Sequence, residues 1–133
     1  MNVLIVQENE DLGRLWTAHL KRAGGDVTHV VNRDKAMELV ERQHFDVVII
    51  DLMLNEGDAL SVSDFVHFHQ RDANVVFVTD TTFFSDGSIF AHAANARVML
   101  KTATPPEDLA AIVAHYGQDA SRARAARGNL VTG

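Results

Sequence analysis

Residues that could carry chemistry follow four short apolar runs, each at the point where the run ends. The runs span residues 3–6, 47–50, 75–78 and 98–100, and they are followed by Gln7 and Glu8, by Asp51, by Thr79 and Asp80, and by Lys101. Continuous runs of this kind, rich in β-branched residues, are typical of strands buried on both faces of a parallel sheet. Because ligands bind where the carboxyl ends of such strands meet, we expect these carboxylates, the hydroxyl and the ammonium to share one edge.

The residue types in this set favour phosphoryl chemistry on a carboxylate. Asp51 can act as a nucleophile that accepts a phosphoryl group, while Glu8, Asp51 and the Met53 backbone carbonyl supply the oxygen ligands that a hard divalent cation prefers. Such a cation would offset charge on the transferring group. Lys101 would pair with phosphoryl oxygens, and the Thr79 hydroxyl would donate a hydrogen bond to one of them. Held in this way, a loop could adopt one of two arrangements and act as a switch.

Strands and helices alternate along the chain, which positions the polar strand ends. A more mixed fifth run, residues 27–31, indicates a strand at the edge of the sheet. Helical spacing of apolar residues predicts five helices. The first contains Leu12, Leu15, Trp16 and Leu20, the second Ala36 and Val40, the third Leu60, Phe65 and Val66, the fourth Ile89 and Phe90, and the fifth Leu109, Ile112 and Val113. Asn32 would cap the second helix, and Pro105 or Pro106 would lie in the first turn of the fifth. This alternation predicts an α/β fold with helices on both faces of a parallel sheet.

The amino-acid composition indicates the broad class of protein. The chain has 133 residues, a net charge of −6 and no cysteine, so disulfides and thiolate metal sites are excluded. No apolar run is long enough to span a membrane, no basic segment precedes the first run, and the acidic charge argues against direct nucleic-acid binding. We therefore expect a cytoplasmic protein. The segment after Gly117 is basic, and it could contact an acidic partner or form a solvated helix.

With these motifs in view, the sequence resembles the receiver domain of two-component response regulators. The resemblance covers about residues 2–116 and depends on the motifs VLIVQE, DVVIIDLML, VVFVTD and VMLK. It implies a doubly wound, flavodoxin-like fold with a five-stranded parallel sheet in the order 2-1-3-4-5 and five helices. The receiver domain would span residues 1–117, and residues 118–133 would extend the last helix or form a disordered tail.

The resemblance also implies roles for individual residues. Asp51 matches the phosphoacceptor, Glu8 the acidic residue that binds the metal directly, Thr79 the switch hydroxyl and Lys101 the lysine that pairs with the phosphate. The cofactor would be Mg²⁺ or Mn²⁺. Gln7 occupies the position of the acid that contacts the metal through water, where it would bind weakly, so we expect reduced metal affinity.

Further departures from the family pattern bear on switching. Asp80 follows the switch threonine, where it could return a negative charge to the pocket, or else face solvent or cap the next turn. Val98 takes the usual aromatic switch position, so an aromatic rotamer switch cannot operate there. Thr102 replaces the proline after the lysine; since a cis bond before a residue other than proline costs about 3 kcal/mol, we expect a trans bond or a shifted loop.

Three functions of different class are compatible with the sequence. The first is a single-domain receiver that takes a phosphoryl group on Asp51 from a histidine kinase or histidine phosphotransfer protein and then binds a downstream protein target. It would be no dedicated enzyme, with at most self-phosphorylation and self-dephosphorylation, and could form a homodimer through the fourth and fifth helices. The second is a degenerate receiver, a protein-interaction module independent of phosphorylation. The third, an unrelated phosphatase or hydrolase, is disfavoured because Met53 stands where a second acid is usual.

Phe83 and Phe84 would pack on the sheet end or belong to a docking face.

Overall fold

Five strands and four helices make up the part of the chain that the computed structural model describes, residues 1–52, 56–79 and 96–132. In chain order they are β1 (Asn2–Val6), α1 (Glu10–Arg22), β2 (Asp26–Val30), α2 (Arg33–Arg42), β3 (Val47–Asp51), α3 (Glu56–His69), β4 (Asn74–Thr79), β5 (Ala96–Lys101) and α4 (Pro106–Thr132). The fourth helix predicted from the sequence, near residues 89–94, lies outside the described residues, so α4 corresponds to the predicted fifth helix.

The five strands form one parallel sheet in the order β2-β1-β3-β4-β5. This order confirms the predicted topology, and it places the mixed run of β2 at an edge, as expected. The order also reverses direction between β1 and β3, which sets the crevice at the carboxyl ends of these two central strands.

Helices cover both faces of the sheet and create two cores. One face carries a cluster that includes Ala36, Val40, Ala59, Val62 and Val66 of α2 and α3. The other face carries a cluster that includes Trp16, Leu20, Leu109, Ala110 and Val113 of α1 and α4. Every residue of β3 and β4 is buried between these layers, whereas β2 and β5 are partly exposed. This explains why the central strands are continuous apolar runs and the edge strand β2 is not.

Asparagine residues cap the first two helices, and the cap of the second, Asn32, is the one expected from the sequence. Asn9 and Asn32 each precede a helix and accept a hydrogen bond from the backbone N–H three residues later. Pro106 is the first residue of α4, where its missing N–H costs no intrahelical hydrogen bond.

One apolar position of α1 differs from the prediction. Leu15 was assigned to the buried face, but it is exposed. The helix packs through Gly13, Trp16 and Leu20, and Leu15 lies roughly 130° around the helix axis from the centre of that stripe. A close approach of α1 to β2 at Gly13 turns the helix this way. The sequence alone gave no sign of that approach.

At the amino-terminal edge of the sheet, the extended α4 helix reaches a buried acid. Asp46, directly before β3, is 2% exposed. Its carboxylate accepts hydrogen bonds from the Asn2 backbone N–H at 2.8 Å and the Ser121 hydroxyl at 3.2 Å, and it pairs with Arg124 at 3.2 Å. Three donors from two distant segments therefore converge on one buried carboxylate.

Neighbouring polar contacts extend this arrangement across the same edge. Arg127 pairs with Asp72 at 2.8 Å, and the Asn74 side-chain amide donates to the Tyr116 carbonyl at 2.9 Å. Two of the three tail arginines, Arg124 and Arg127, thus pair with acids outside α4, whereas Arg122 pairs with Asp119 of the same helix. We refer to Asn2, Asp46, Asp72, Asn74, Tyr116, Ser121, Arg124 and Arg127 as the amino-edge network.

A histidine lies beside this network. The Nε2 atom of His44 is buried, and no hydrogen-bond partner for it is found among the described residues. Burial lowers the pKa of His44 below its ordinary value of 6.5, and the positive charge of Arg124 lowers it further, against smaller opposing effects of Asp46 and Asp72. The neutral form of His44 is therefore favoured in the folded protein.

No helix among the described residues has both the length and the apolar character that a membrane span requires.

Candidate functional site

The polar residues singled out from the sequence lie at the carboxyl ends of four adjacent strands. Asp51, Thr79 and Lys101 are the last residues of β3, β4 and β5, and Gln7 directly follows β1. The register pairs Asp51 with Val78, and Thr79 with Lys101. Parallel register therefore brings these strand ends to one edge, as the sequence analysis expected.

Gln7, Asp51 and Thr79 are buried at this edge, whereas the charged residues Glu8 and Lys101 are exposed. Asp51 and Thr79 are each 3% exposed, and both make polar or electrostatic interactions. Glu8 and Lys101 are exposed. The edge thus combines a buried carboxylate and hydroxyl with solvent-facing groups of both signs, an arrangement open to a charged ligand.

Gln7 is buried beside Asp51 and contacts it directly. Its side-chain Nε2 donates a hydrogen bond to Asp51 Oδ2, and its Oε1 accepts one from the Asn9 backbone N–H at 2.9 Å. The orientation of the amide follows from these partners, because a flipped amide would set Oε1 against the carboxylate and the NH₂ group against an N–H. The amide nitrogen therefore faces Asp51.

The backbone of Gln7 is fixed from the neighbouring strand. Its N–H donates to the Val30 carbonyl at 3.0 Å, and its carbonyl oxygen lies 2.8 Å from His29 Nε2. Since a carbonyl only accepts, Nε2 is the protonated ring nitrogen. The His29 ring lies against Gly13, where a Cβ atom would come within 2.2 Å of the ring. Only glycine at position 13 leaves room for this ring, and the ring in turn holds Gln7.

The segment after β5 is held by backbone hydrogen bonds. The Thr102 N–H donates to the Thr79 carbonyl at 2.8 Å, and the Thr104 N–H donates to the Lys101 carbonyl at 2.9 Å. No cis peptide bond occurs in the described residues, so the bond before Thr102 is trans, as its cost led us to expect. Val98 is partly buried and packs against the core cluster of α1 and α4.

Some sequence-based predictions fall outside the described residues. These are the Met53 carbonyl as a metal ligand, the charge returned by Asp80, and the packing or docking role of Phe83 and Phe84.

The donor set at this edge suits a hard cation in part. Glu8 and Asp51 offer carboxylate oxygens, which Mg²⁺ prefers. Across residues 1–52, 56–79 and 96–132, however, no group of three acidic or histidine side chains is placed to hold a metal ion, and Gln7 presents an N–H donor to Asp51. An N–H group cannot ligate a cation. The described residues therefore provide fewer anionic ligands than a site that has an acid at position 7 as well as Glu8 and Asp51.

Sequence reasoning missed the contact between Gln7 and Asp51, and with it His29 and Gly13. It treated Gln7 as an oxygen that would accept from a metal-bound water. The predicted strand order already made β1 and β3 neighbours, and the structure adds the register, with Val6 opposite Ile50, which brings the next residues, Gln7 and Asp51, side by side. A buried amide beside a buried carboxylate is expected to donate to it.

Comparison with known proteins decides the family. The family model of the response regulator receiver domain matches residues 3–114, most of the chain. The chain belongs to the response regulator receiver family. The fold described above is therefore that of a receiver.

Individual relatives are distant. The chain is 25% identical over 77 residues to the response regulator receiver protein CpdR of Brucella abortus (strain 2308), an alignment that covers 58% of this receiver and 64% of that protein. The match thus spans less than two thirds of the relative's length.

Solved structures share the fold at low identity. A response regulator receiver domain protein from Methanospirillum hungatei JF-1 is 16% identical with a TM-score of 0.80, covering 91% of this chain and 96% of that one. A response regulator from Burkholderia pseudomallei was solved with a phosphorylated aspartic acid, a calcium ion and citrate. It is 23% identical with a TM-score of 0.73, and the match covers 95% of this chain and 72% of that one. These likenesses establish the fold.

Proposed function

We propose that this receiver accepts a phosphoryl group on Asp51 from a phosphohistidine donor and signals by binding a protein partner according to its phosphorylation state. The observation that carries the proposal is the position of Asp51. It is a carboxylate at the carboxyl end of a central strand, and it is 3% exposed. The neighbouring strands are β1 and β4, and β5 lies beyond β4. A phosphorylated aspartic acid in the Burkholderia pseudomallei regulator supports this chemistry in a related fold.

In the proposed reaction, a carboxylate oxygen of Asp51 attacks the phosphorus of the donor. A new O–P bond forms as the P–N bond to the donor imidazole breaks, and the imidazole nitrogen leaves with the bonding pair and takes up a proton. Thr79 would donate a hydrogen bond to a phosphoryl oxygen, and the Lys101 ammonium would pair with another. A divalent cation, Mg²⁺ or Mn²⁺, would supply charge neutralisation for the transferring group when bound by Glu8 and Asp51.

The donor and the target follow from this chemistry. A histidine kinase or a histidine phosphotransfer protein would present the phosphohistidine, and a downstream protein would read the state of the receiver. The proposed location is the cytoplasm, where such donors act. The fourth helix predicted from the sequence and α4 remain the proposed faces for a homodimer.

A second candidate function is favoured by one observation. The hydrogen bond from the Gln7 amide engages Asp51, which would suit a degenerate receiver that binds its partner without a phosphorylation cycle. The two candidates differ in whether Asp51 ever gains a phosphoryl group.

Intact-mass measurement separates the two candidates. The protein is incubated with a small phosphodonor and MgCl₂, and in parallel with a phosphorylated histidine phosphotransfer protein. A gain of one phosphoryl group that vanishes in Asp51→Asn supports the first candidate. No gain from either donor would reject it in favour of the second.

A further inference from the structure

Burial and hydrogen bonds fix the side-chain amide of Gln7, which replaces an acid of the family pattern, more firmly than an exposed amide would be held. It is 3% exposed, and each of its polar groups has a partner: the side-chain nitrogen donates to Asp51, the side-chain oxygen accepts from Asn9, and the backbone groups bond to Val30 and His29. A buried side chain bonded at both ends cannot turn away without leaving polar groups unsatisfied.

The contact with Asp51 could lower metal affinity in two distinct ways. In one, Gln7 merely lacks a negative charge, and its hydrogen bond has no further effect. In the other, the N–H group occupies Asp51 Oδ2, and a cation must displace it before it can use that oxygen. A hydrogen bond to a charged group is among the stronger kinds in proteins, so the second effect is large enough to measure.

We propose that Gln7 is a positioning residue that holds Asp51 through a competing hydrogen bond, so that a divalent cation reaches Asp51 Oδ2 only by displacing the Gln7 amide. The inference rests on the proposed function, since it concerns the cation site of the phosphoacceptor. It assigns Gln7 an active restraint on Asp51 that a missing charge alone does not provide.

Substitutions at position 7 separate the two effects. Gln7→Ala and Gln7→Met add no charge but remove the N–H donor, and methionine also keeps most of the side-chain volume. Gln7→Asp restores a carboxylate. The same substitution to alanine in an Asp51→Asn background serves as the matched control, because the oxygen for which the amide competes is then absent as an anion.

Affinity for Mg²⁺ is measured by isothermal titration calorimetry with MgCl₂ and no phosphodonor, with Mn²⁺ binding followed by electron paramagnetic resonance as a second readout. Gln7→Ala and Gln7→Met are expected to bind Mg²⁺ roughly tenfold more tightly than the unaltered protein, the value of one charged hydrogen bond. Gln7→Asp is expected to bind more tightly still. The gain from Gln7→Ala should disappear in the Asp51→Asn background.

Several results would overturn the inference. One is equal or weaker Mg²⁺ binding by both Gln7→Ala and Gln7→Met, with thermal melting showing that they are folded; tightening in Gln7→Asp alone would then assign the whole effect to charge. Another is a gain from Gln7→Ala that persists in Asp51→Asn, and a third is no binding by any variant. Because the titration contains no phosphodonor, it is read independently of phosphorylation. Tighter binding in Gln7→Ala without phosphoryl gain in any variant would reject the proposed function and retain the role of Gln7.

Discussion

Asp46 and Asp51 lie at opposite ends of the same strand, and both are almost completely buried, at 2% and 3% exposure. Asp46 precedes β3 at the amino-terminal edge, and Asp51 ends β3 at the carboxyl-terminal edge. Their partners differ. Asp46 accepts from a backbone N–H and a hydroxyl and pairs with the cationic Arg124. Asp51 accepts a hydrogen bond from the neutral amide of Gln7 among its interactions.

The difference shows how one strand can carry a structural acid, Asp46, and an acid for which we propose a chemical role, Asp51. A buried carboxylate is tolerated when charge and hydrogen bonds compensate its lost hydration. The partners of Asp46 come from the chain start and from α4, so its ion pair joins distant segments. Asp51 instead lies at the edge where parallel strand ends form a crevice, the edge at which β5 ends in the exposed Lys101. Residues of the same type thus have different surroundings at the two edges of the sheet, and the role that we propose for Asp51 depends on its edge.

The largest expected contrast is in phosphoryl acceptance. Asp51→Asn should abolish the gain of a phosphoryl group, because an amide oxygen is a poor nucleophile, while Asp46→Asn should retain it. Intact mass after incubation with a small phosphodonor and MgCl₂ measures both. Loss of acceptance in a folded Asp46→Asn variant, or its retention in Asp51→Asn, would remove the distinction between the two edges.

The free energy of unfolding should depend more on Asp46 than on Asp51, the reverse of phosphoryl acceptance. Asp46→Asn should lower the free energy of unfolding by about 2 kcal/mol, because it removes the anion that compensates Arg124 and weakens two further hydrogen bonds. Asp51→Asn should change it by less than about 1 kcal/mol, since its amide can still bond to Gln7. Urea unfolding followed by the fluorescence of the single tryptophan, the buried Trp16, gives both values.

Asp34→Asn is the control for this stability measurement, because the Asp34 side chain is 86% exposed and pairs with Arg33 at 3.4 Å. It should have little effect. A loss in Asp51→Asn as large as that in Asp46→Asn would count against the contrast.

The arginines of α4 provide a smaller test. Arg124→Gln should destabilise the protein by about 1 kcal/mol, because its partner Asp46 is buried. Arg122→Gln should cost less than about 0.5 kcal/mol, because Arg122 and Asp119 form an exposed pair at 3.7 Å. Chemical unfolding of both variants under the same conditions decides this. Equal effects would mean that burial of Asp46 adds nothing to the ion pair.

The smallest expected effect is on pH dependence at the amino-terminal edge. Since the pKa of His44 is lower in the folded protein than its ordinary 6.5, the unfolded chain binds the proton more tightly, and stability falls as the pH drops below about 6.5. His44→Gln should lose less stability than the unaltered protein between pH 7.5 and pH 5.5. Stability curves measured across this range in both proteins provide the check. Parallel curves would show that His44 does not contribute.

Much of the fold could be predicted because the relevant signals are local. Runs such as residues 47–50 indicate buried strands, Asn32 indicates a helix start, and Pro106 fits a first turn. The exposure of Leu15 could not be predicted, because it depends on how closely α1 approaches His29 at Gly13. The same holds for Arg124, whose partner Asp46 lies 78 positions earlier in the chain.

The sequence by itself determined the alternation of strands and helices, the polar residues at the strand ends and the family motifs around Asp51. Those features are written in residue types and short spacings, to which periodicity and turn chemistry respond directly. Only the tertiary structure decided that the Gln7 amide turns its nitrogen toward Asp51 and that the basic tail pairs with Asp46 and Asp72. These choices depend on which distant polar groups become neighbours when water is excluded, and burial then requires each of them to find a partner.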